Sequence, residues 1–134
     1  MSSQGVLDAS AFLAYLRQEP GGEAAAQAID QEAVISLVNW AGTLTRLVEL
    51  GATVTEATAR IRRLGILGRK LRVVPLTRPD ASEIARLRPL TRHLGLSLGD
   101  RACLALGLRL GLPVLTTDRV WARLDLGLWV QVLR

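Results

Sequence analysis

Five short apolar runs, separated by stretches with helical patterning, constrain this chain more than any other feature. They read GVL (5–7), AVIS (33–36), LRVVPL (71–76), PVLTT (113–117) and WVQVL (129–133). Runs this short, rich in Val, Ile and Leu and bounded by turn residues, predict strands buried on both faces. The intervening segments predict helices over 9–18, 23–30, 38–50, 55–67, 78–90 and 97–111. Pro20-Gly21-Gly22 stops the first, Gly51 ends the third and Gly111 ends the last. The fourth is expected to start at a threonine cap, with a glutamate in its first turn. Pro79 opens the fifth, with Asp80 as its cap candidate, and Ser97 is the N-cap candidate of the sixth. Strands alternating with helices predict a three-layer α/β/α sandwich around a mainly parallel five-stranded sheet.

At 134 residues the chain is expected to form one domain spanning 1–134, with enough length to bury a core unaided. An apolar content of 49% argues against disorder. No apolar run approaches the roughly 18 residues of a membrane span. The opening MSSQGVLDAS lacks a basic region followed by an apolar run, so it does not read as a signal peptide. One cysteine, Cys103, cannot pair internally, and its apolar helical setting marks it as a small buried hydrophobe. The expected compartment is the reducing cytoplasm.

Charge is divided unevenly along the chain. Residues 1–59 carry two basic and seven acidic residues, a net of −5; residues 60–134 carry fifteen basic and five acidic, a net of +10. All the basic residues but Lys70 are arginine, whose planar fork of donors suits phosphate. A basic half points to a polyanion such as nucleic acid, or to an acidic protein segment. A GC-rich genome would also enrich arginine.

In parallel α/β sheets, ligands bind outside the carboxyl ends of the strands. Asp8 follows the first strand there and Asp118 the fourth, while Asp100 sits in the first turn of the last helix. Three converging carboxylates repel one another unless a cation neutralises them. Their hard oxygens suit Mg²⁺ or Mn²⁺. Each also has a purely structural account: Asp8 and Asp118 as helix caps, Asp100 as a partner of the helix dipole. Arg92, Arg101 and Arg119 flank the acidic motifs as candidate phosphate contacts, or as ordinary surface arginines. No GxGxxG or Walker loop is present, no Cys/His cluster suits zinc, and no Ser-His-Asp or Cys-His arrangement stands out. The single histidine, His93, reads as a surface residue. A receiver or phosphatase also places aspartates at strand ends. However, LDAS lacks the second aspartate of the common phosphatase motif, and the only lysine precedes the third strand.

The segments VLDASAFLAYLRQEPGGE, VISLVNWAGTL, HLGLSLGDRACLALGLRLGLPVLTTDRVWARL and LWVQVLR together resemble the PIN-domain family, specifically VapC toxins of bacterial toxin–antitoxin pairs. LSLGDR and VLTTDR are the most specific. The resemblance covers nearly the whole chain and keeps the family's order and spacing. It implies a PIN-like fold and a metal-dependent endoribonuclease that cuts structured RNA such as tRNA or rRNA. It also implies inhibition by a cognate VapB antitoxin, and homodimers are common. By position, Asp8, Asp100 and Asp118 match metal-site carboxylates, and Ser10 and Thr117 match hydroxyls that support them. Asn39 fills the polar position of an N-x-x-E pattern.

Here that pattern reads NWAG, so Gly42 stands where the resemblance implies a catalytic glutamate. A glycine inside a helix costs about 1 kcal/mol relative to alanine, and no packing reason for it is visible in the sequence. Gly42 is therefore read as a missing carboxylate, whether natural, accidental or engineered, and activity is expected to be impaired. Glu49 lies two turns on, about 10 Å along the axis, too far to substitute. One alternative to an active nuclease follows. The chain is then a degenerate module that binds RNA or an antitoxin without turnover, with Trp40, Leu44, Leu47 and Val48 lining a groove for an antitoxin helix. Otherwise those four residues are core.

Overall fold

A computed structural model describes residues 5–134; residues 1–4, part of the stretch read for a leader, lie outside the described residues. Five strands form one sheet: β1 (Gly5–Leu7), β2 (Ala33–Ser36), β3 (Leu71–Val74), β4 (Val114–Thr116) and β5 (Val130–Val132). Their order is β3-β2-β1-β4-β5, and every pairing is parallel. Six α-helices connect them: α1 (Ala9–Arg17), α2 (Gly22–Asp30), α3 (Leu37–Glu49), α4 (Val54–Arg63), α5 (Arg78–Thr91) and α6 (Leu98–Leu110). Short 3₁₀ turns span Arg92–Leu94 and Arg119–Arg123.

The two-residue period of the strands divides the core in two. Leu7, Ala33, Ile35 and Leu115 face one way and pack with Phe12, Leu16, Ile29, Leu47 and Ile61 of α1 to α4. Val6, Val34 and Val114 face the other way and pack with Ile84, Leu87, Leu104 and Leu106 of α5 and α6 and with Trp121. The α/β/α sandwich expected from the sequence is the fold observed. It is a sheet with both faces covered, which is why its strands read as unbroken apolar runs.

Two helix caps depart from the sequence reading. The fourth helix covers Val54–Arg63 rather than 55–67; it starts at Val54 because Thr53 and Glu56 form a capping box. The cap of α5 is Thr77, not Asp80; Asp80 reciprocates from the third helical position and also accepts a hydrogen bond from Arg109 Nε at 2.9 Å. The outer strands are shorter than the apolar runs that announce them. β3 ends at Val74, before Pro75, which has no N–H for the ladder.

Helix α3 shows what its apolar face does. Trp40 stacks on Phe12 with ring centroids 6.1 Å apart, Leu44 packs against the same cluster and Leu47 is buried in it. Of the four residues weighed as a groove, only Val48 is exposed, at 42%.

Candidate functional site

The sheet order reverses between β1 and β4, since β2 and β3 extend from one side of β1 and β4 and β5 from the other. The carboxyl ends of strands flanking such a reversal form a crevice open to ligands. Leu7 pairs with Ile35 and with Leu115, so Asp8, Ser36 and Thr116 emerge side by side at that edge.

Asp8 is 4% exposed and held on both oxygens. Oδ1 accepts from the Ser10 hydroxyl at 2.7 Å and from the Ala11 N–H at 2.8 Å; Oδ2 accepts from the Thr116 hydroxyl at 2.6 Å. Burial pushes its carboxyl up from 3.8 to about 6, against the pull of the Thr116, Ala11 and Ser10 hydrogen bonds, and the negative charge of Asp100 adds to the rise. Asp100 therefore lies within electrostatic reach of Asp8.

Thr116 also ties Asp118 to this network, because its hydroxyl oxygen accepts the Asp118 N–H at 3.0 Å. The Ser10 hydroxyl oxygen accepts the Thr117 N–H at 3.0 Å. The hydroxyl that reaches Asp8 from β4 thus belongs to Thr116, one residue before the Thr117 singled out in the sequence. Thr117 contributes backbone: its N–H to Ser10 and its carbonyl to Arg134 Nε. Strand alternation decides this, since neighbouring residues on an extended chain point opposite ways.

Asp100 occupies the third position of α6 in a capping box with Ser97. Asn39 anchors that helix start. Its Nδ2 donates to the Gly99 carbonyl at 3.0 Å, while Ser36 donates to its Oδ1 at 2.8 Å. The first turn of α3 and the first turn of α6 are thereby locked together, which sets where Asp100 sits. Asp118 is exposed and caps the following 3₁₀ turn through Oδ1 to the Val120 N–H. Capping thus accounts for one oxygen of each aspartate. Among the described residues, Oδ1 of Asp100 and Oδ2 of Asp118 carry no protein hydrogen bond.

Gly42 lies on α3, exposed, and a Cβ placed on it would meet only the Ala9 Cβ, at 3.8 Å. Its neighbour is thus the residue after Asp8. Two other glycines differ. A Cβ on Gly22 would lie 2.5 Å from the Ala14 carbonyl oxygen, and one on Gly107 would lie 2.6 Å from Val114 Cγ1. Packing demands those two glycines and leaves position 42 open to a side chain.

The arginines separate. Arg92 and Arg119 are exposed. Arg101 is half-buried and donates to the Ile84 carbonyl at 2.9 Å, so its guanidinium is turned toward α5. His93 is exposed, and Cys103 is fully buried, where burial pushes its thiol up, with Asp8 and Asp100 adding to the rise.

Among the described residues, no group of three or more His, Cys, Asp or Glu side chains is placed to hold a metal ion. In kind, the donors suit a hard divalent cation: they are oxygens only, and Asp8 and Asp100 repel each other in a way that a cation relieves. On the side of α3, Gly42 contributes no side chain to this edge.

No helix among the described residues is long and apolar enough to cross a membrane. No curated protein matches the sequence. Solved structures do match in fold. A toxin–antitoxin complex from Klebsiella pneumoniae superposes with a TM-score of 0.71 at 17% identity, covering 98% of each chain. DNA-bound VapBC from Salmonella typhimurium gives 0.71 at 14% identity, over 99% of this chain and 100% of that one. VapBC-5 from Mycobacterium tuberculosis gives 0.59 at 24% identity, over 99% of each chain. The PIN domain family model matches residues 5–126, and the chain belongs to the PIN-domain family.

Proposed function

We propose that this protein is a VapC-like endoribonuclease toxin whose turnover is impaired at Gly42. PIN domains are typically metal-dependent nucleases. The observation that carries the reading is the Asp8–Thr116–Asp118 network at the β1/β4 reversal, with Asp100 facing it from α6. Asp8, Asp100 and Asp118 would hold Mg²⁺ or Mn²⁺, which when bound stabilises the charge that develops on a scissile phosphate. Ser10 and Thr116 hold Asp8 by hydrogen bonds that favour its ionised form. Asn39 positions Asp100 through Gly99. Arg92 and Arg119, both exposed, would draw an anionic backbone toward the edge. The substrate is structured RNA such as tRNA or rRNA. The partner is a VapB-type antitoxin, the working form a homodimer and the compartment the cytoplasm; the fold shared with VapBC complexes supports the partner.

The test compares the chain with Gly42→Glu and with Gly42→Glu/Asp8→Ala, following bacterial growth and mapping RNA 5′ ends. Growth arrest and discrete cuts from Gly42→Glu alone support the reading. Equal cutting by the unaltered chain overturns the role given to Gly42. A second reading, an RNA- or antitoxin-binding module without turnover, draws on the same open position. It prevails if Gly42→Glu binds RNA or antitoxin and never cuts.

A further inference from the structure

Between Glu56 and Asp80 the chain carries seven basic residues and no acidic one. This stretch contributes most of α4, the α4–β3 loop and the edge strand β3. The parallel register aligns Leu71 with Ala33 and Gly5, so the loop meets the sheet at the end opposite Asp8. The basic residues there are far from the carboxylate edge in function as well as position: none contributes to the network described above.

The loop is closely tied. Ile66 is buried in the core, the Lys70 and Leu71 N–H groups both bond to the Ile66 carbonyl, and the Gly68 N–H bonds to the Leu71 carbonyl at 2.9 Å. Arg60 is spent on the Leu16 carbonyl and Lys70 on Asp30. Arg62, Arg63 and Arg69 are exposed, and among the described residues no hydrogen bond or ion pair engages their guanidinium groups. Arg62 and Arg63 close α4 and Arg69 lies in the tied loop that follows, so three arginines without a protein partner sit close in sequence where that loop meets the edge strand. Discouraging edge-to-edge sheet pairing is a common use of charge at an edge strand, but Arg62 and Arg63 lie on α4 and not on the strand. No aromatic residue lies in this stretch, so base stacking is not its mode; the chemistry matched is that of phosphates.

We infer that Arg62, Arg63 and Arg69 form a second, non-catalytic surface that binds the phosphate backbone of RNA at the end of the sheet opposite the carboxylates. The choice of RNA rests on the function proposed above. Such a surface recognises no sequence; it would hold a folded RNA by a part remote from the one presented to the carboxylates.

The test is equilibrium binding of a fluorescent tRNA to the full chain, titrated over a range of KCl concentrations in chelator. It uses the unaltered protein, the triple variant Arg62→Ala/Arg63→Ala/Arg69→Ala, and a control, Arg17→Ala/Arg46→Ala/Arg86→Ala. The control removes the same formal charge from arginines that are already paired with Glu19, Glu49 and Glu83. The patch variant is expected to bind on the order of tenfold more weakly, with a log–log salt slope shallower by about 2, and the control to change little. Equal weakening of both triples, or unchanged binding by the patch variant, overturns the inference. Since binding is read without cleavage, its failure leaves the nuclease reading standing. Conversely, absence of cutting by Gly42→Glu leaves this surface standing.

Discussion

The Thr116 hydroxyl donates to Asp8 Oδ2 at 2.6 Å across 108 positions of sequence, and its oxygen receives the Asp118 N–H at 3.0 Å. One side chain thus orients two of the three aspartates at the sheet edge. Replacing it with valine keeps the volume and deletes both bonds. Thr116→Val is expected to cost about 1–3 kcal/mol in urea unfolding, because a buried carboxylate loses a donor. An unchanged midpoint would show that the network does not hold the edge together.

Asp8 gives a pH dependence of definite sign. Its folded-state value of about 6 lies above the ordinary 3.8, so the native state binds the proton more tightly than the unfolded chain. The cost of keeping it ionised is complete above pH 6, shrinks as pH falls from 6 toward 4, and is absent below that. Asp8→Asn removes this cost. In chelator it is expected to stabilise the fold at pH 7.5 by up to about 3 kcal/mol, with the advantage fading at pH 4. Thermal melts at both values check it, and a variant less stable at pH 7.5 than at pH 4 relative to the parent contradicts the assignment.

Position 42 separates helix propensity from chemistry. Its Cβ space is open, so Gly42→Ala is expected to raise stability by about 1 kcal/mol with or without Mn²⁺. Gly42→Glu adds a carboxylate beside the start of α1. Its melting temperature is expected to rise with Mn²⁺ more than that of the parent, as a cation that binds only the folded state stabilises it. Equal Mn²⁺ responses for parent, alanine and glutamate variants would remove position 42 from any metal site.

The Asp80–Arg109 pair is structural. Asp80 is 2% exposed and bonded to Arg109 at 2.9 Å and to the Thr77 N–H at 2.9 Å. Burial pushes its carboxyl up, but the Thr77 and Arg109 bonds outweigh this and hold it below its ordinary value. Its contribution is present above the unfolded value and is lost as pH falls through the folded one. Arg109→Ala is expected to cost about 1–3 kcal/mol at pH 7, discounted from the cost of breaking a fully buried pair because Arg109 is one-third exposed. That loss should shrink below pH 4; a constant loss would mean that packing of the arginine stem, rather than charge, is what matters.

Much of this was legible in the chain. The apolar runs announced all five strands because a sheet covered on both faces leaves no polar alternation within them. Asp8 and Asp118 were legible because a carboxylate directly after a buried strand stands at the edge where α/β folds bind ligands. Ser97 was legible as a cap from its place before a helical pattern. The start of α4 is not legible in the sequence, because Thr53 and Thr55 are both plausible caps and only the reciprocal bond with Glu56 selects Thr53. The place of Asp80 is hidden for a similar reason: a capping box puts its acid three residues inside the helix.

Local pattern and residue identity were enough to set the layer architecture, the charge division and the glycine at position 42. Tertiary structure alone decided that Thr116, rather than Thr117, reaches Asp8, that Asn39 fixes the start of α6, and that Arg101 turns toward α5. It also decided that position 42 is free to carry a side chain while positions 22 and 107 are not. Each of these depends on which face of a strand or helix meets a partner tens of residues away. That is settled by register and packing, which no local pattern encodes.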